Sequence, residues 1–348
     1  MAKKLRVGVI GSGAIFTGAH LPGWKALAND CEIVAIADIK ESSQKSAIAA
    51  IGNPDLKVYD TYQKMFAAEK LDVVDVCTPN CFHCAPTVAA FEAGCHVITE
   101  KPCATSVAEV EKMIAAGKKA KKLFMVAQSM RFQAEHLAMK RWVDEGLIGE
   151  VYYGRLSLLR PRGVPSWGDF ILKEMSAGGP CYDLAVHILD LALYLMGHPE
   201  PVAVSANYWL KLSNKPSVMK HDPKRYSVPD ELAAGFIRFA NGASLILETS
   251  WAVNAPEGTY NVFLAGDKGG MQNSPLTLVR EEAGMLTNTT VQMNPDAGIA
   301  SHSEEVRRFV EAIQKKLPSP VPGEQALLTQ RILDGIYKSA EKRKEVKV

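Results

Sequence analysis

Short apolar runs separated by amphipathic stretches dominate the first third of the chain. Residues 5–10 form a run rich in β-branched residues, and a second run at residues 32–37 ends at Asp38. Further apolar runs lie at residues 73–77, 96–99 and 123–126. Helical stretches lie between them at residues 83–93 and 107–119. Continuous apolar runs are typical of strands buried on both faces, and strands that alternate with helices form βαβ units. The pattern therefore predicts a parallel sheet flanked by helices.

The second half of the chain predicts a different kind of sheet. Its predicted strands lie at residues 151–159, 202–212, 232–239, 243–251 and 261–265. Asn241-Gly242 separates two of them, and Asn-Gly is a dipeptide typical of a tight β-hairpin. Apolar positions alternate only loosely in residues 235–239, so we expect helices on one face of this sheet and a partner subunit on the other. Two predicted helices, at residues 303–316 and 324–342, complete the pattern.

Length, composition and charge exclude several classes of protein. A chain of 348 residues exceeds one ordinary core, and 47% hydrophobic with 22% charged residues is typical of globular domains. A formal net charge of +2 without a basic stripe argues against nucleic-acid binding. No apolar run approaches the roughly 20 residues of a membrane span, and the start of the chain lacks the apolar segment of a signal peptide. We therefore expect a cytoplasmic protein of two domains.

The seven cysteines raise the question of a metal site. One stretch of the chain contains Cys77, Cys81, Cys84, Cys95 and Cys103, together with His83 and His96. Structural zinc sites pair short C-x2-4-C knuckles across a loop, whereas Cys77 and Cys95 lie in strand-like runs. We therefore expect buried, reduced thiols and no metal, with a zinc site as the alternative.

The glycine-rich turn after the first strand predicts a nucleotide site. Gly11 permits a tight turn, and Gly13 lets the backbone approach a pyrophosphate at a helix N-terminus. Asp38, at the end of the second strand, can accept hydrogen bonds from a ribose 2′-hydroxyl and would repel a 2′-phosphate. NAD is therefore favoured over NADP, although Lys40 weakens the preference. Phe16 occupies the position where a third glycine is usual.

Three further polar motifs follow predicted strands. They are Thr78-Pro79-Asn80 with His83, then Glu100-Lys101-Pro102, and finally a helix that begins after Gly178-Gly179 and carries Asp183 and His187. Ligands of open α/β sheets bind beyond the carboxyl ends of the strands, where the first two motifs lie. Asp183 and His187 are four residues apart and so project from one helix face. The structural alternatives are a turn, a surface ion pair, and a capping aspartate beside a buried histidine.

Together these motifs resemble the glucose–fructose oxidoreductase and inositol dehydrogenase family (Gfo/Idh/MocA), in the same order over almost the whole chain. The resemblance implies an N-terminal Rossmann domain, which we place at residues 1–128, and a C-terminal α/β domain at residues 129–348. The second domain would carry a large, open, mostly antiparallel sheet that often forms the oligomer interface, hence a homodimer or homotetramer. Phe16 departs from the family pattern, as does Gln128, where relatives commonly carry asparagine.

The resemblance also implies that Lys101, Asp183 and His187 form the catalytic group. We expect hydride transfer between a hydroxyl of a sugar, inositol or related cyclic polyol and the nicotinamide. His187 would act as general base, Asp183 would hold the hydroxyl or the imidazole, and Lys101 would stabilise the alkoxide. The residues expected to contact NAD are Gly11, Gly13, Ala14, Ile15, Asp38, Thr78, Pro79, Asn80, His83, Glu100, Lys101 and Gln128.

The segment between residues 160 and 167 precedes the predicted catalytic helix. Arg160 could bind sugar hydroxyls and Trp167 could stack on an apolar ring face, while a surface loop with one anchoring tryptophan is the alternative. Two other functions remain open. One is a glycosidase on the same scaffold that retains NAD through turnover, and the other is a non-catalytic NAD-binding regulator.

Overall fold

The computed structural model describes residues 3–293 and 300–348. The chain divides into two compact units, one formed by Met1–Phe132 with Ile299–Leu327 and the other by Gln133–Gly298 with Leu328–Val348. A segment near the C-terminus thus returns to the first unit. None of the helices in the described ranges is long and apolar enough to cross a bilayer.

The strands are β1 (Leu5–Ile10), β2 (Cys31–Ala37), β3 (Lys57–Tyr59), β4 (Val73–Val76), β5 (His96–Glu100), β6 (Phe124–Ala127), β7 (Val151–Leu159), β8 (Pro201–Trp209), β9 (Leu232–Phe239), β10 (Ser244–Ser250), β11 (Thr259–Gly266), β12 (Gly269–Asn273), β13 (Leu276–Glu282), β14 (Met285–Thr290) and β15 (Val346–Lys347). The helices are α1 (Leu21–Ala26), α2 (Glu41–Ile51), α3 (Tyr62–Ala68), α4 (Cys84–Glu92), α5 (Val107–Ala120), α6 (Ala134–Asp144), α7 (Lys173–Ser176), α8 (Val186–Leu195), α9 (Ser301–Lys315) and α10 (Gly323–Lys342).

The first unit is built on a six-stranded sheet in the order β3-β2-β1-β4-β5-β6. Every pair of neighbours is parallel, which confirms the prediction from the apolar runs. The strand order reverses between β1 and β4, and this reversal is where open α/β sheets bind ligands. The edge strand β3 was not predicted because it is short and none of its side chains is buried.

Helix α9 completes the core of this first unit. Its apolar positions Val306, Phe309 and Val310 are buried in the same hydrophobic cluster as the central strands. The helix also contacts α1, as amphipathic helices do when they bury one face. The unit therefore contains two segments that are far apart in the sequence.

The second unit is built on a nine-stranded sheet in the order β14-β13-β12-β11-β7-β10-β9-β8-β15. Strands β7 and β10 are parallel, and the remaining pairs are antiparallel. The predicted hairpin between β9 and β10 is confirmed, with Gly242 at φ +87° and its N–H donated to the carbonyl of Phe239. The hairpin of β13 and β14 was not predicted, because β14 is mostly exposed and polar.

The two faces of this sheet differ in exposure. Helices α6, α8 and α10 pack on one face. The other face carries exposed or half-buried side chains, among them Arg155, Phe236, Ile246 and Phe263. Ile246 is 38% exposed, which is high for a residue at the centre of a sheet. This open face combines apolar and charged groups, as the loose alternation of the sequence predicts.

Candidate active site

The glycine turn after β1 has the geometry that a bound phosphate requires. Gly11 has φ +84°, and a Cβ there would lie 2.7 Å from the carbonyl carbon of Cys77, so only glycine fits. A Cβ on Gly13 would meet nothing within 4 Å, so the space in front of its backbone is open. Phe16 is fully buried and begins a π-helical turn that leads into α1. Its ring therefore belongs to the core, which explains the departure from a third glycine.

Asp38 is held at the carboxyl end of β2 beside this turn. Its Oδ2 accepts the backbone N–H of Ser12 at 2.7 Å, and its Oδ1 accepts that of Lys40 at 2.8 Å. The carboxylate is half-buried. The two backbone donors fix its direction, and the carboxylate can still accept hydrogen bonds from a diol.

His83 joins the two loops that follow β4 and β5. Its Nδ1 lies 2.8 Å from the carbonyl oxygen of Pro102, and its Nε2 lies 2.7 Å from that of Thr78. The ring is fully buried, and burial lowers the pKa of His83 below its usual value. Each ring nitrogen thus faces a backbone carbonyl, and the histidine supports the Thr78 and Lys101 loops from inside.

Glu100 belongs to a buried charged cluster. Its Oε1 lies 2.9 Å from Nε2 of His20, and its Oε2 accepts the backbone N–H of Lys101 at 3.0 Å. Nδ1 of His20 lies 3.0 Å from both carboxylate oxygens of Asp75, which also accepts the indole N–H of Trp24 at 2.7 Å. The glutamate of the Glu-Lys-Pro motif therefore faces the protein interior and orients the backbone of the half-buried Lys101.

The pKa values of this cluster follow from its charges. Burial opposes the protonation of His20, but the adjacent Asp75 raises the pKa of the imidazole well above its usual value. Burial would likewise raise the pKa of Glu100, but its hydrogen bond to His20 and the imidazolium charge lower it to about 2. Sequence patterns did not single out His20 or Asp75, because a polar residue in an apolar run does not reveal its partner.

Gln128, at the carboxyl end of β6, has an unusual environment. Its side chain is 1% exposed, and Oε1 has no hydrogen-bond partner among the described residues. A buried amide oxygen without a donor is costly unless a ligand or water supplies one. The open space at Gly13, the carboxylate of Asp38 and this amide therefore fit a dinucleotide along the sheet edge.

The geometry does not favour a metal among the cysteines. In the described ranges, the groups with metal-ligand spacing are His20-Asp75-Cys77 and His20-Glu100-His302. Both depend on His20, whose two ring nitrogens already face carboxylates. None of the seven cysteines forms a disulfide, and six of them are buried. Burial raises the pKa of thiols such as Cys95, to about 11, which keeps them protonated and unreactive.

In the second unit, Asp183 and His187 lie on the accessible stripe of a buried helix. Asp183 is part of a π-helical turn, Cys181–Ala185, and His187 belongs to the first turn of α8. From Cys181 to Leu195 every residue is buried except Asp183, His187 and Tyr194. Spacings of four and eleven residues correspond to one side of a helix. The only accessible groups of this apolar segment are therefore an acid, an imidazole and a phenol.

The start of this helix is anchored by Asp230. Its Oδ1 accepts the N–H of Gly179 and the hydroxyl of Tyr337, both at 2.8 Å, and its Oδ2 accepts the N–H of Cys181 at 3.4 Å. A Cβ on Gly179 would lie 2.2 Å from the carbonyl oxygen of Asp230, so the glycine permits this approach. Asp230 is fully buried, which raises its pKa to about 6 against these hydrogen bonds.

The segment from Arg160 to Trp167 leads away from β7. Arg160 is exposed, and its backbone N–H donates to Ser250 at the end of β10. Trp167 is 62% exposed, and its ring packs edge-on against Phe170 with centroids 4.8 Å apart. A supported aromatic ring with a free face suits an apolar ligand surface.

Two levels of comparison agree with this architecture. Residues 5–128 match the family model described as the NAD-binding Rossmann fold of the oxidoreductase family, and residues 140–348 match its C-terminal alpha/beta domain. D-glucoside 3-dehydrogenase of Escherichia coli is 35% identical over 98% of this chain and 96% of its own length. Myo-inositol 2-dehydrogenase of Thermotoga maritima is 26% identical over 99% and 98% of the two chains.

A solved structure of levoglucosan dehydrogenase in complex with NADH and levoglucosan superposes with a TM-score of 0.86. It is 25% identical to this chain and covers 99% of it, with 100% of the solved chain matched. The fold and the nucleotide-binding edge define an NAD-binding oxidoreductase with two units. More narrowly, the chain belongs to the Gfo/Idh/MocA oxidoreductase family. The predicted family, fold class and enzyme class are thereby confirmed.

Proposed function

We propose that this oxidoreductase oxidises a ring hydroxyl of a glycoside, aldose, inositol or related cyclic polyol, with Lys101, Asp183 and His187 serving one hydride transfer. The observation that carries the proposal is the accessible Asp183–His187 stripe on an otherwise buried helix. A carboxylate and an imidazole that are both accessible on one side of a buried helix suit proton transfer at a bound ligand. The relatives that act on D-glucosides and myo-inositol support the substrate class.

Bound NAD supplies the hydride acceptor at nicotinamide C4. His187 takes the proton of the substrate hydroxyl, since an imidazole exchanges protons near neutral pH. Asp183 accepts a hydrogen bond from the hydroxyl or the imidazole and so orients the reacting pair. The ammonium of Lys101 stabilises the developing alkoxide, and in the reverse direction the protonated His187 returns the proton.

We further propose NAD rather than NADP as the preferred cofactor. Asp38 is held by the N–H groups of Ser12 and Lys40, and a 2′-phosphate would be repelled by its charge. The remaining contacts would come from Gly13 to Ile15, the Thr78-Pro79-Asn80 loop, Lys101 and the amide of Gln128. His83 and Glu100 would act by supporting these loops.

Arg160 and Trp167 are proposed to bind the sugar, because the exposed indole offers a face for a pyranose ring. We also propose that the open face of the nine-stranded sheet joins subunits into a homodimer or homotetramer. Ile246 and Phe236 give that face apolar area at its centre. Seven cysteines without a disulfide are in keeping with a reducing compartment, and we propose the cytoplasm.

The test is a dehydrogenase assay of the purified protein with NAD and NADP against glycosides, aldoses and inositols. We expect NADH formation with some members, and a loss of kcat of about 10²- to 10⁴-fold in Lys101→Met and His187→Asn. Lys119→Met, at an exposed lysine of α5, is the matched control and should retain full activity. Cleavage of a glycoside with NAD retained and no net NADH would instead identify the glycosidase. Full activity in both Lys101→Met and His187→Asn would refute the proposal.

A further inference from the structure

Trp251 has a single polar side-chain atom, and that atom is bonded to Asp183. The residue directly follows β10 and is fully buried, the largest such side chain among the described residues. Its indole N–H donates to Oδ2 of Asp183 at 3.0 Å. An indole has no other hydrogen-bonding group, so burial of this ring requires an acceptor for its N–H.

The backbone of Trp251 holds the segment that precedes the catalytic helix. Its carbonyl accepts the N–H of Gly163 at 2.7 Å, and Arg162 pairs with Ala252 in an antiparallel bridge. Its own N–H donates to the carbonyl of Glu231 at 2.9 Å. One residue thus connects the carboxylate of Asp183 with the middle of the Arg160–Trp167 segment.

The indole ring has little freedom to move. The ring of Tyr226 packs against it at 90°, with centroids 6.4 Å apart, and the Tyr226 hydroxyl donates to the carbonyl of Asp230 at 2.7 Å. A fixed donor constrains the carboxylate that accepts from it, because a hydrogen bond to a charged acceptor is short and directional. A residue 68 positions away in sequence therefore helps to orient the Asp183 carboxylate.

We propose that Trp251 is a positioning residue that orients the Asp183 carboxylate and keeps the Arg160–Trp167 segment in register with it. The inference rests on the proposed role of Asp183 in hydride transfer. Trp251 does not touch the reacting atoms in this scheme. It acts through Asp183, so its removal should slow the chemical step more than it weakens substrate binding.

The first test is Trp251→Phe, which removes the N–H and keeps an aromatic ring in the core. We expect kcat to fall about 10- to 100-fold while KM changes less than about threefold. The matched control is Trp142→Phe, the same substitution at a half-buried tryptophan of α6, which should keep kcat. Unchanged kcat in Trp251→Phe would overturn the proposal.

A double-mutant cycle with Asp183→Ala separates positioning from simple loss of packing. If Trp251 acts through Asp183, then Trp251→Phe adds little to the defect of Asp183→Ala. Equal fold-losses in both backgrounds would overturn the proposal. Full activity of Asp183→Ala alone would instead refute the proposed function, so the two failures are distinguishable.

A second variant guards against failure to fold. Replacement of Trp251 by 3-benzothienylalanine preserves the shape of the bicyclic ring and substitutes sulfur for the N–H. The protein should fold and bind NAD as before, measured by circular dichroism and calorimetric titration, while kcat falls as in Trp251→Phe. A folded analogue with unchanged kcat would overturn the proposal.

Discussion

Nε2 of His20 lies 2.9 Å from Oε1 of Glu100, and both side chains are buried in the first unit. The other ring nitrogen of His20, Nδ1, lies 3.0 Å from the carboxylate of Asp75. One imidazolium therefore compensates two carboxylates in a low dielectric, where the loss of a single member leaves charge unpaired. The cluster is adjacent to Lys101, because the backbone N–H of Lys101 donates to the Glu100 carboxylate.

We predict that His20→Gln lowers the free energy of unfolding by about 3–5 kcal/mol at pH 6, measured by urea denaturation. Glu100→Gln removes one of the two charges that His20 balances. A cycle of the two variants should be strongly non-additive, because the double variant leaves fewer unpaired charges than the sum of the singles implies. Additive losses would show that the two side chains do not form a coupled pair.

The pH dependence of this coupling has a defined sign. His20, with a pKa raised above 6.5, stabilises the fold below that pH and loses its contribution as pH rises through the folded value. Glu100, with a pKa lowered to about 2 from 4.5, stabilises above pH 4.5 and loses its contribution as pH falls towards 2. The stability difference between wild type and His20→Gln should therefore be largest between pH 4.5 and 6.5.

Asp230 is predicted to have the opposite pH behaviour from Glu100. Its pKa is raised from 3.8 to about 6, so the folded state binds a proton that the unfolded state lacks between these values. Relative to Asp230→Asn, wild type should gain about 2 kcal/mol of unfolding free energy as pH falls from 7 to 4. Paired urea titrations at several pH values measure this difference. A pH-independent difference would mean that Asp230 does not titrate in this range.

Cofactor choice should depend on the charge of Asp38. Asp38→Asn keeps an acceptor for one backbone N–H and removes the repulsion of a 2′-phosphate. We predict that the ratio of kcat/KM for NAD to that for NADP falls about tenfold or more. Glu41→Gln removes an exposed charge nearby, at the start of α2, and should leave the ratio unchanged. An unchanged ratio in Asp38→Asn would assign cofactor choice to other residues.

Gly179, which precedes the helix that carries Asp183 and His187, should not tolerate a side chain. A Cβ at Gly179 would lie 2.2 Å from the carbonyl oxygen of Asp230, which is backbone and cannot rotate away. Gly179→Ala should therefore lower the free energy of unfolding by about 1–3 kcal/mol, measured by urea denaturation. Gly18→Ala is the control, because a Cβ there meets nothing within 4 Å and φ is not positive. Equal stability of the two variants would contradict this account of the helix start.

The elements that depend on short-range order were predicted from the sequence. The first strand, its glycine turn and the terminal Asp38 follow one another along the chain, and burial leaves an apolar run that can be recognised locally. The hairpin at Asn241-Gly242 is equally local, because its tight turn places Gly242 at φ +87°, a conformation that favours glycine. The Asp183–His187 stripe also follows from spacing, since four residues correspond to about one helical turn.

Other features required the tertiary structure. Helix α9 is amphipathic in sequence, but its pattern does not say which unit buries Val306 and Phe309. Strand β14 has no buried residue, so it is recognised only by its hydrogen bonding to β13. His20 meets Glu100 80 positions away, and Trp251 meets Asp183 across 68. Periodicity along a chain records whether a residue is buried, whereas the identity of its partner depends on how the chain folds back on itself.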